Sequence, residues 1–320
     1  MEKGNSAYMM QMDWESIGFF FIVGFILTPI AGMLFSWVDR KVTARVQWRV
    51  GPPLLQPFWD FVKLLGKETL IPSESAKTLF LLAPLVGLSA VALVSTILWK
   101  AILNPQAGFI GDLIVVLYFL MVPSLAVILG GFASKNPIAS LGASREMKLM
   151  LGYELPFILA CLVPIIKTGR SIQLGEIIIY QGSHGVVAGN ISGILALIAA
   201  VVVVQAKLTL VPFDIPEAET EIMSGPFVEY SGPPLAVFKL TRMMMLFTLP
   251  VFMVILFLGG MSFEGWGILW SVLKTVLFLV LITLIRNTNP RLRIDQAVGL
   301  FWGPITVIAV AAVIFALAGK

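Results

Sequence analysis

The chain has 320 residues, 58% of them hydrophobic, and its 12% charged residues are about half the share expected of a soluble domain. Lys and Arg total 22 against 18 Asp and Glu, and there is one Cys and one His. These numbers exclude an ordinary water-soluble enzyme, a disordered chain and a disulfide framework. They also exclude any iron–sulfur, haem or structural zinc centre assembled from this chain alone. The composition is that of an all-α polytopic membrane protein forming one membrane domain over 1–320.

Apolar stretches long enough to cross a hydrocarbon core of about 30 Å as helices occupy 17–37, 78–99, 110–132, 149–166, 191–210, 235–258, 267–285 and 297–318, predicting eight spans. The first is expected to remain in the mature protein. Its apolar run is too long for a cleaved signal, and Lys3 stands against Glu2, Asp13 and Glu15 rather than in a basic leader. An outside N-terminus gives the inside loops sixteen basic residues: Arg40, Lys41, Arg45, Arg49, Lys63, Lys67, Lys77, Lys135, Arg145, Lys148, Lys207, Lys239, Arg242, Arg286, Arg291 and Arg293. The outside then holds five, Lys3, Lys100, Lys167, Arg170 and Lys320, with Lys274 inside the seventh span. The positive-inside bias therefore predicts both termini outside. It also accounts for the net charge of +4 without a nucleic-acid partner.

The first inside loop, 38–77, alternates polar and apolar residues from Lys41 to Val50, which predicts an extended strand that Gly51-Pro52-Pro53 stops. Beyond it Leu54, Leu55, Phe58, Phe61, Val62 and Leu65 recur at helical spacing opposite Gln56, Asp60, Lys63 and Lys67. That pattern predicts an amphipathic helix on the membrane surface, either anchoring to lipid or docking a soluble subunit. Asp112 is expected to face water, Cys161 to be a small buried hydrophobe, and His184, within Gln181-Gly182-Ser183-His184-Gly185, to sit in a solvated loop. Glu154 lies near the start of the fourth span, and an ionisable group at membrane depth is a functional candidate by default. Lys207, Lys239 and Arg242 are expected to snorkel from the inside ends of their spans. Lys274 either reaches the outer headgroups or serves transport. Pro29, Pro84, Pro123, Pro156, Pro164, Pro250 and Pro304 break spans in ways compatible with an ion path.

The second inside loop, 211–234, carries Asp214, Glu217, Glu219, Glu221 and Glu229, with no basic residue from Val211 to Tyr230. A short helix starting at Pro216 would set Glu217 and Glu221 one turn apart on one face, where like charges repel. They must find cations, with Arg45, Arg49, Arg145, Arg291 and Arg293 as candidates, or share a proton. Close carboxylates of this kind either lock a loop by ion pairs or load and release protons near neutral pH. The spacing lacks the regular oxygen-ligand loop of a calcium site.

With these residues in view the chain resembles the membrane protein that joins the peripheral and membrane arms of respiratory complex I, known as subunit 1 or the H subunit, and its relatives in energy-converting [NiFe] hydrogenases. The matching pieces are Asp39-Arg40-Lys41-Val42, Arg49-Val50-Gly51-Pro52, Leu54-Leu55-Gln56-Pro57-Phe58, Asp60, Lys63-Leu64 and Lys67-Glu68. Further on come Arg145, Tyr153-Glu154, Pro212-Phe213-Asp214, Glu217, Glu219, Glu221, Ser224-Gly225 and Val228-Glu229-Tyr230. The resemblance runs in order from the first span to the last.

It implies a multi-pass subunit of the cell (cytoplasmic) membrane with no redox centre of its own. Glu154, Asp214, Glu217, Glu219, Glu221 and Glu229 would then relay protons, while Arg40, Arg45, Arg49, Gln56, Asp60, Lys63, Arg145, Arg291 and Arg293 pair charges and dock the redox module. In quinone-reducing members a longer Gly-Pro-rich insert separates the Arg-x-Gly-Pro and Leu-Leu-Gln-Pro elements, whereas only Pro53 intervenes here. The short form resembles the hydrogenase branch with its sulfur-reducing relatives. The implied function is ion pumping in a ferredoxin-linked hydrogen-evolving complex. Its partners would be hydrogenase-type large and small subunits, a ferredoxin-like iron–sulfur subunit and antiporter-like membrane subunits, with the [NiFe] centre and [4Fe–4S] clusters held by those partners. The alternatives are a sulfur-reducing complex, an NADH:quinone oxidoreductase and, more distantly, a stand-alone secondary ion transporter.

Overall fold

The computed structural model describes residues 14–263 and 265–319, and every regular element among them is helical. Ten main helices organise the described residues: α1 (Ile17–Val46), α2 (Gln56–Leu65), α3 (Lys77–Leu103), α4 (Asp112–Ala133), α5 (Pro137–Lys167), α6 (Leu174–His184), α7 (Ile191–Lys207), α8 (Pro233–Phe257), α9 (Gly267–Thr288) and α10 (Ile294–Leu317). All except α2, α6 and α7 are long and apolar enough to cross a membrane, giving seven among the described residues; α7 is apolar but has 17 residues. Lipid supplies no hydrogen bonds, so such segments close their backbone bonds within the helix. Lys3, Lys320 and the chain ends used to orient the spans lie outside the described residues.

Helix α8 is the hub, with 94% of its apolar stretch buried against 28% in α1 and α10. It packs on α1 and α3, while α5 is held among α4, α7 and α10. Gly32 permits the close approach of α1, since a Cβ there would lie 2.6 Å from the Met243 carbonyl oxygen. Prolines open wide π turns at Val23–Leu27, just before Pro29, and at Phe301–Ile305, around Pro304. Threonine hydroxyls take carbonyls within them, Thr28 Oγ1 donating to Val23 O at 2.7 Å and Thr306 Oγ1 to Phe301 O at 2.5 Å.

Several expectations are corrected. The segment from Lys41 to Val50 is not a strand. Helix α1 continues to Val46 and ends in a turn at Trp48 and Gly51, both at positive φ. A strand needs a neighbour to satisfy its backbone, and a continued helix satisfies it alone. The fourth span begins at Pro137 rather than near 149, because Asn136 Oδ1 caps it from the Ile138 N–H at 2.8 Å and proline suits the first helical position. Arg145, Glu146 and Lys148 therefore ride on α5.

Asp112 does not face water; it is 1% exposed and accepts from Leu174 N at 2.8 Å, tying α4 to α6. His184 is exposed as expected but ends helix α6, stacked on Tyr180 at 4.3 Å. Lys274 Nζ donates to Leu258 O at 2.7 Å, so it caps the last turn of α8. Cys161 is buried.

Candidate functional site

The acidic loop is pinned along its length. Leu292 N donates to Pro212 O at 3.1 Å, and Phe213 packs on Phe301 with centroids 4.9 Å apart. Gly225, at φ 51°, makes the turn where a Cβ would collide with the Pro216 carbonyl, and Pro226 then lies against Gly142 of α5. Tyr230 closes the loop, donating to Phe80 O at 2.9 Å and stacking on Phe80 at 4.0 Å. Burial raises the Tyr230 phenol above its ordinary pKa.

Pro216 does start a turn, Ile215–Glu217, but Ala218 leaves helical geometry before the next turn, Glu219–Ile222. Glu217 and Glu221 consequently do not share a helix face. They diverge, Glu217 Oε2 to Arg242 Nη1 and Glu221 Oε2 to Arg145 Nη1, each at 2.7 Å. Asp214 meets Arg291 at 2.6 Å, and its Oδ1 is buried without a hydrogen-bond partner among the described residues. Burial outweighs that guanidinium and raises the Asp214 carboxyl above the usual aspartate value. Glu229 accepts from Asn136 Nδ2 at 2.5 Å, and Glu219 is exposed.

Of the five arginines expected to pair with this loop, Arg145 and Arg291 do. Arg293 only lines the neighbouring cavity of about 260 Å³ with Asp214 and Glu221. Arg45 and Arg49 are exposed, and Arg49 shares a separate cavity of about 330 Å³ with Arg40 and Arg286. The missing cation is Arg242, which stays partly exposed but is bound by the loop: it pairs with Glu217, the Thr209 carbonyl at 3.1 Å and the Thr209 hydroxyl. Lys207 does not snorkel. Its side chain, 1% exposed, pairs with Glu154 at 2.8 Å and lies over the rings of Tyr153 and Phe157 at 4.9 and 4.7 Å. Lys239 is exposed as expected.

In the first loop Asp60 joins Arg40 at 2.7 Å and Gln56 Nε2 at 2.8 Å. Partial burial would raise the Asp60 carboxyl, but those hydrogen bonds and the charges of Arg40 and Lys63 together hold it below the usual value. The apolar face of α2 presents Phe58, Trp59, Val62 and Leu65 outward. Lys63 lines a pocket of about 250 Å³ with Arg40, Asp60 and Lys239. Asp39 is buried and held by Arg286 at 2.8 Å and Thr283 at 3.0 Å.

Beneath the acidic loop lies a cavity of about 340 Å³. Its polar lining comprises Glu146, Glu217, Glu219, Lys207, Lys239, Arg242, Ser124, Thr209, Ser224 and Thr241. At roughly 30 Å³ per molecule, such a volume holds on the order of ten waters. Glu146 is not among the residues that the sequence pattern singles out. It follows Arg145 outside the apolar run counted as the fourth span, although it stands two helical turns before Glu154. Among the described residues no three His, Cys, Asp or Glu side chains are grouped to hold a metal.

Known proteins match the chain over nearly its whole length. Residues 17–317 match the family model described as NADH dehydrogenase. The H subunit of the NADH-quinone oxidoreductase from Thermomicrobium roseum is 33% identical over 329 residues, spanning 93% of this chain and 95% of the relative. The protein of the same name from Geobacillus kaustophilus is 34% identical over 310 residues, 90% of each chain. Among solved structures, a chain of the membrane-bound sulfane sulfur reductase, an archaeal respiratory membrane complex, superposes with a TM-score of 0.83 at 28% identity, covering 94% of this chain and 99% of that one.

Proposed function

This chain belongs to the NADH dehydrogenase family of complex I H subunits, also called subunit 1, and from that membership we propose that it docks the peripheral redox module of a complex I-like respiratory complex and relays protons into the membrane. The observation that carries the relay is the polar cavity under the acidic loop. It joins the partly exposed Glu217–Arg242 pair to the buried Lys207, whose partner is Glu154. Glu217 and Glu219 would take up protons at this cavity, and Glu154 would receive them behind it. Asp214 and Glu221 bound the adjoining cavity, and Glu229 flanks the loop beside Asn136. A lone transporter has no use for both this loop and an amphipathic helix with an outward apolar face.

We read α7 as the eighth span, about 26 Å long at 1.5 Å per residue, with both termini outside. Segments 38–77 and 211–234 then lie together on the cytoplasmic side as the docking surface.

The short link Gly51-Pro52-Pro53-Leu54 supports the hydrogenase branch. A bulky quinone headgroup needs an entrance whose walls exclude water, and so short a connection leaves little wall. The reading is therefore a ferredoxin-linked complex that evolves hydrogen at a [NiFe] centre fed by [4Fe–4S] clusters, all in partner subunits. Reduction of a sulfur compound is the second reading, supported by the end-to-end match to the sulfane sulfur reductase chain. Quinone reduction is the activity in the names of the relatives. Purifying the complex in mild detergent tests the branch. Nickel and hydrogen evolution from reduced ferredoxin are expected, with no quinone turnover. Inhibitor-sensitive quinone reduction without nickel would overturn the assignment.

A further inference from the structure

Glu146 is 1% exposed, and its Oε2 finds no hydrogen-bond partner among the described residues. Leaving an ionised carboxylate in that condition is among the costliest arrangements a protein interior can hold. The charges around it are already matched. Arg242 is bound to Glu217 at 2.7 Å and Lys207 to Glu154 at 2.8 Å, while Lys239 and Glu219 are both exposed at the cavity and balance in sign. Glu146 is the odd acid in the set, with no cation left for it.

We propose that Glu146 is a proton-carrying carboxyl of this cavity, neutral at rest, standing between Glu217 and the Lys207–Glu154 pair. The proposal rests on the relay reading above and supplies its middle step. Glu146 lies about 12 Å along α5 from Glu154, eight residues at 1.5 Å each, too far for direct transfer. Lys207, which lines the cavity with Glu146, and water within it close that gap. The Tyr153 and Ser124 hydroxyls lie 3.1 Å apart, and Ser124 lines the same cavity. The resting proton leaves a Glu146 oxygen for the Lys207–Glu154 pair. The Glu217 carboxylate then takes a proton from the exposed side, and cavity water passes that proton to the vacated Glu146 carboxylate, which returns Glu217 to its ion pair with Arg242. One proton moves inward, and the charge around the cavity returns to its starting value when Glu154 passes its added proton on.

The test uses the native complex with Glu146→Gln and Glu146→Asp. Infrared spectra at neutral pH should show a protonated-carboxyl C=O band in the parent that Glu146→Gln lacks. Glu146→Gln should assemble at parental yield, since one neutral polar group replaces another, yet pass protons into vesicles about a hundredfold more slowly, the scale of a lost proton-transfer group. Glu146→Asp should recover part of that rate. An unchanged carboxyl band, parental proton uptake in Glu146→Gln, or assembly of Glu146→Asp but not Glu146→Gln would each overturn the proposal. Failure of the relay reading has a different signature: parental uptake in Glu217→Gln, whatever the carboxyl band does.

Discussion

Removing one member of the Lys207–Glu154 pair should damage the protein far more than removing both. The Lys207 and Glu154 side chains are 1% and 14% exposed, so a single substitution leaves an unpaired charge in the interior. That costs about 3–5 kcal/mol, or roughly a 100- to 4,000-fold loss in the folded population at about 1.4 kcal/mol per decade. Glu154→Leu should be the worse single change, because the ammonium it strands is the more deeply buried of the two. The Tyr153 and Phe157 rings return only about 0.5–2 kcal/mol of that cost. The double variant Glu154→Leu/Lys207→Met should lie within about 1 kcal/mol of the parent, since apolar replacement of a buried pair is often neutral. Thermal midpoints of the purified complex, read with vesicle proton uptake, provide the assay. The double variant is expected to be stable and inactive in translocation. Single variants as stable as the double would refute the burial argument, and a double variant that translocates normally would remove Glu154 from the route.

Asp214 has a raised carboxyl pKa, so its contribution to stability is fully present below the ordinary aspartate value and is lost as pH rises through the raised one. The thermal midpoint of the parent should therefore fall from about pH 4 upward by an increment that Asp214→Asn lacks; parallel curves for the two would contradict this. The Arg145–Glu221 pair has side chains 22% and 58% exposed, and Glu221→Gln should change stability by no more than about 1 kcal/mol. A larger drop in the denaturation midpoint would mean the loop depends on that contact. At Gly142 a Cβ would lie 2.6 Å from Pro226 Cδ, so Gly142→Leu should lift the acidic loop at a cost of about 1–3 kcal/mol. Faster limited proteolysis within 211–234 is the expected readout, and parental protection would count against the contact.

Hydropathy alone located the stretches that became α1, α3, α4, α8, α9 and α10, because lipid-facing and core-facing residues of a span are both apolar. It placed the start of α5 twelve residues late, since Arg145, Glu146 and Lys148 dilute the average while the helix needs only Asn136 and Pro137 to begin. Polar–apolar alternation from Lys41 to Val50 was misleading for a related reason. A two-residue period signals a strand only where a neighbouring strand exists to pair with it, and α1 has none. The acidic loop was recognisable by charge, and the need of its carboxylates for cations followed from repulsion. Their partners were only half legible. Arg242 and Lys207 sit where snorkelling is the default, but packing of α5 and α7 turns Lys207 inward, and Arg242, though 40% exposed, is taken up by Glu217 and Thr209. Glu146 is a single acid beside two basic residues, and its isolation is a property of the assembled cavity rather than of its neighbours in sequence.

Proton uptake into liposomes holding the native complex, with Glu217→Gln compared against the parent, tests the central claim most directly. Glu217 is 24% exposed and Arg242 is 40% exposed, so the amide should leave assembly intact while removing the group that takes up the proton. The account predicts an assembled complex whose coupled uptake falls by about a hundredfold or more. Uptake at the parental rate would contradict it and leave the acidic loop a purely structural clasp.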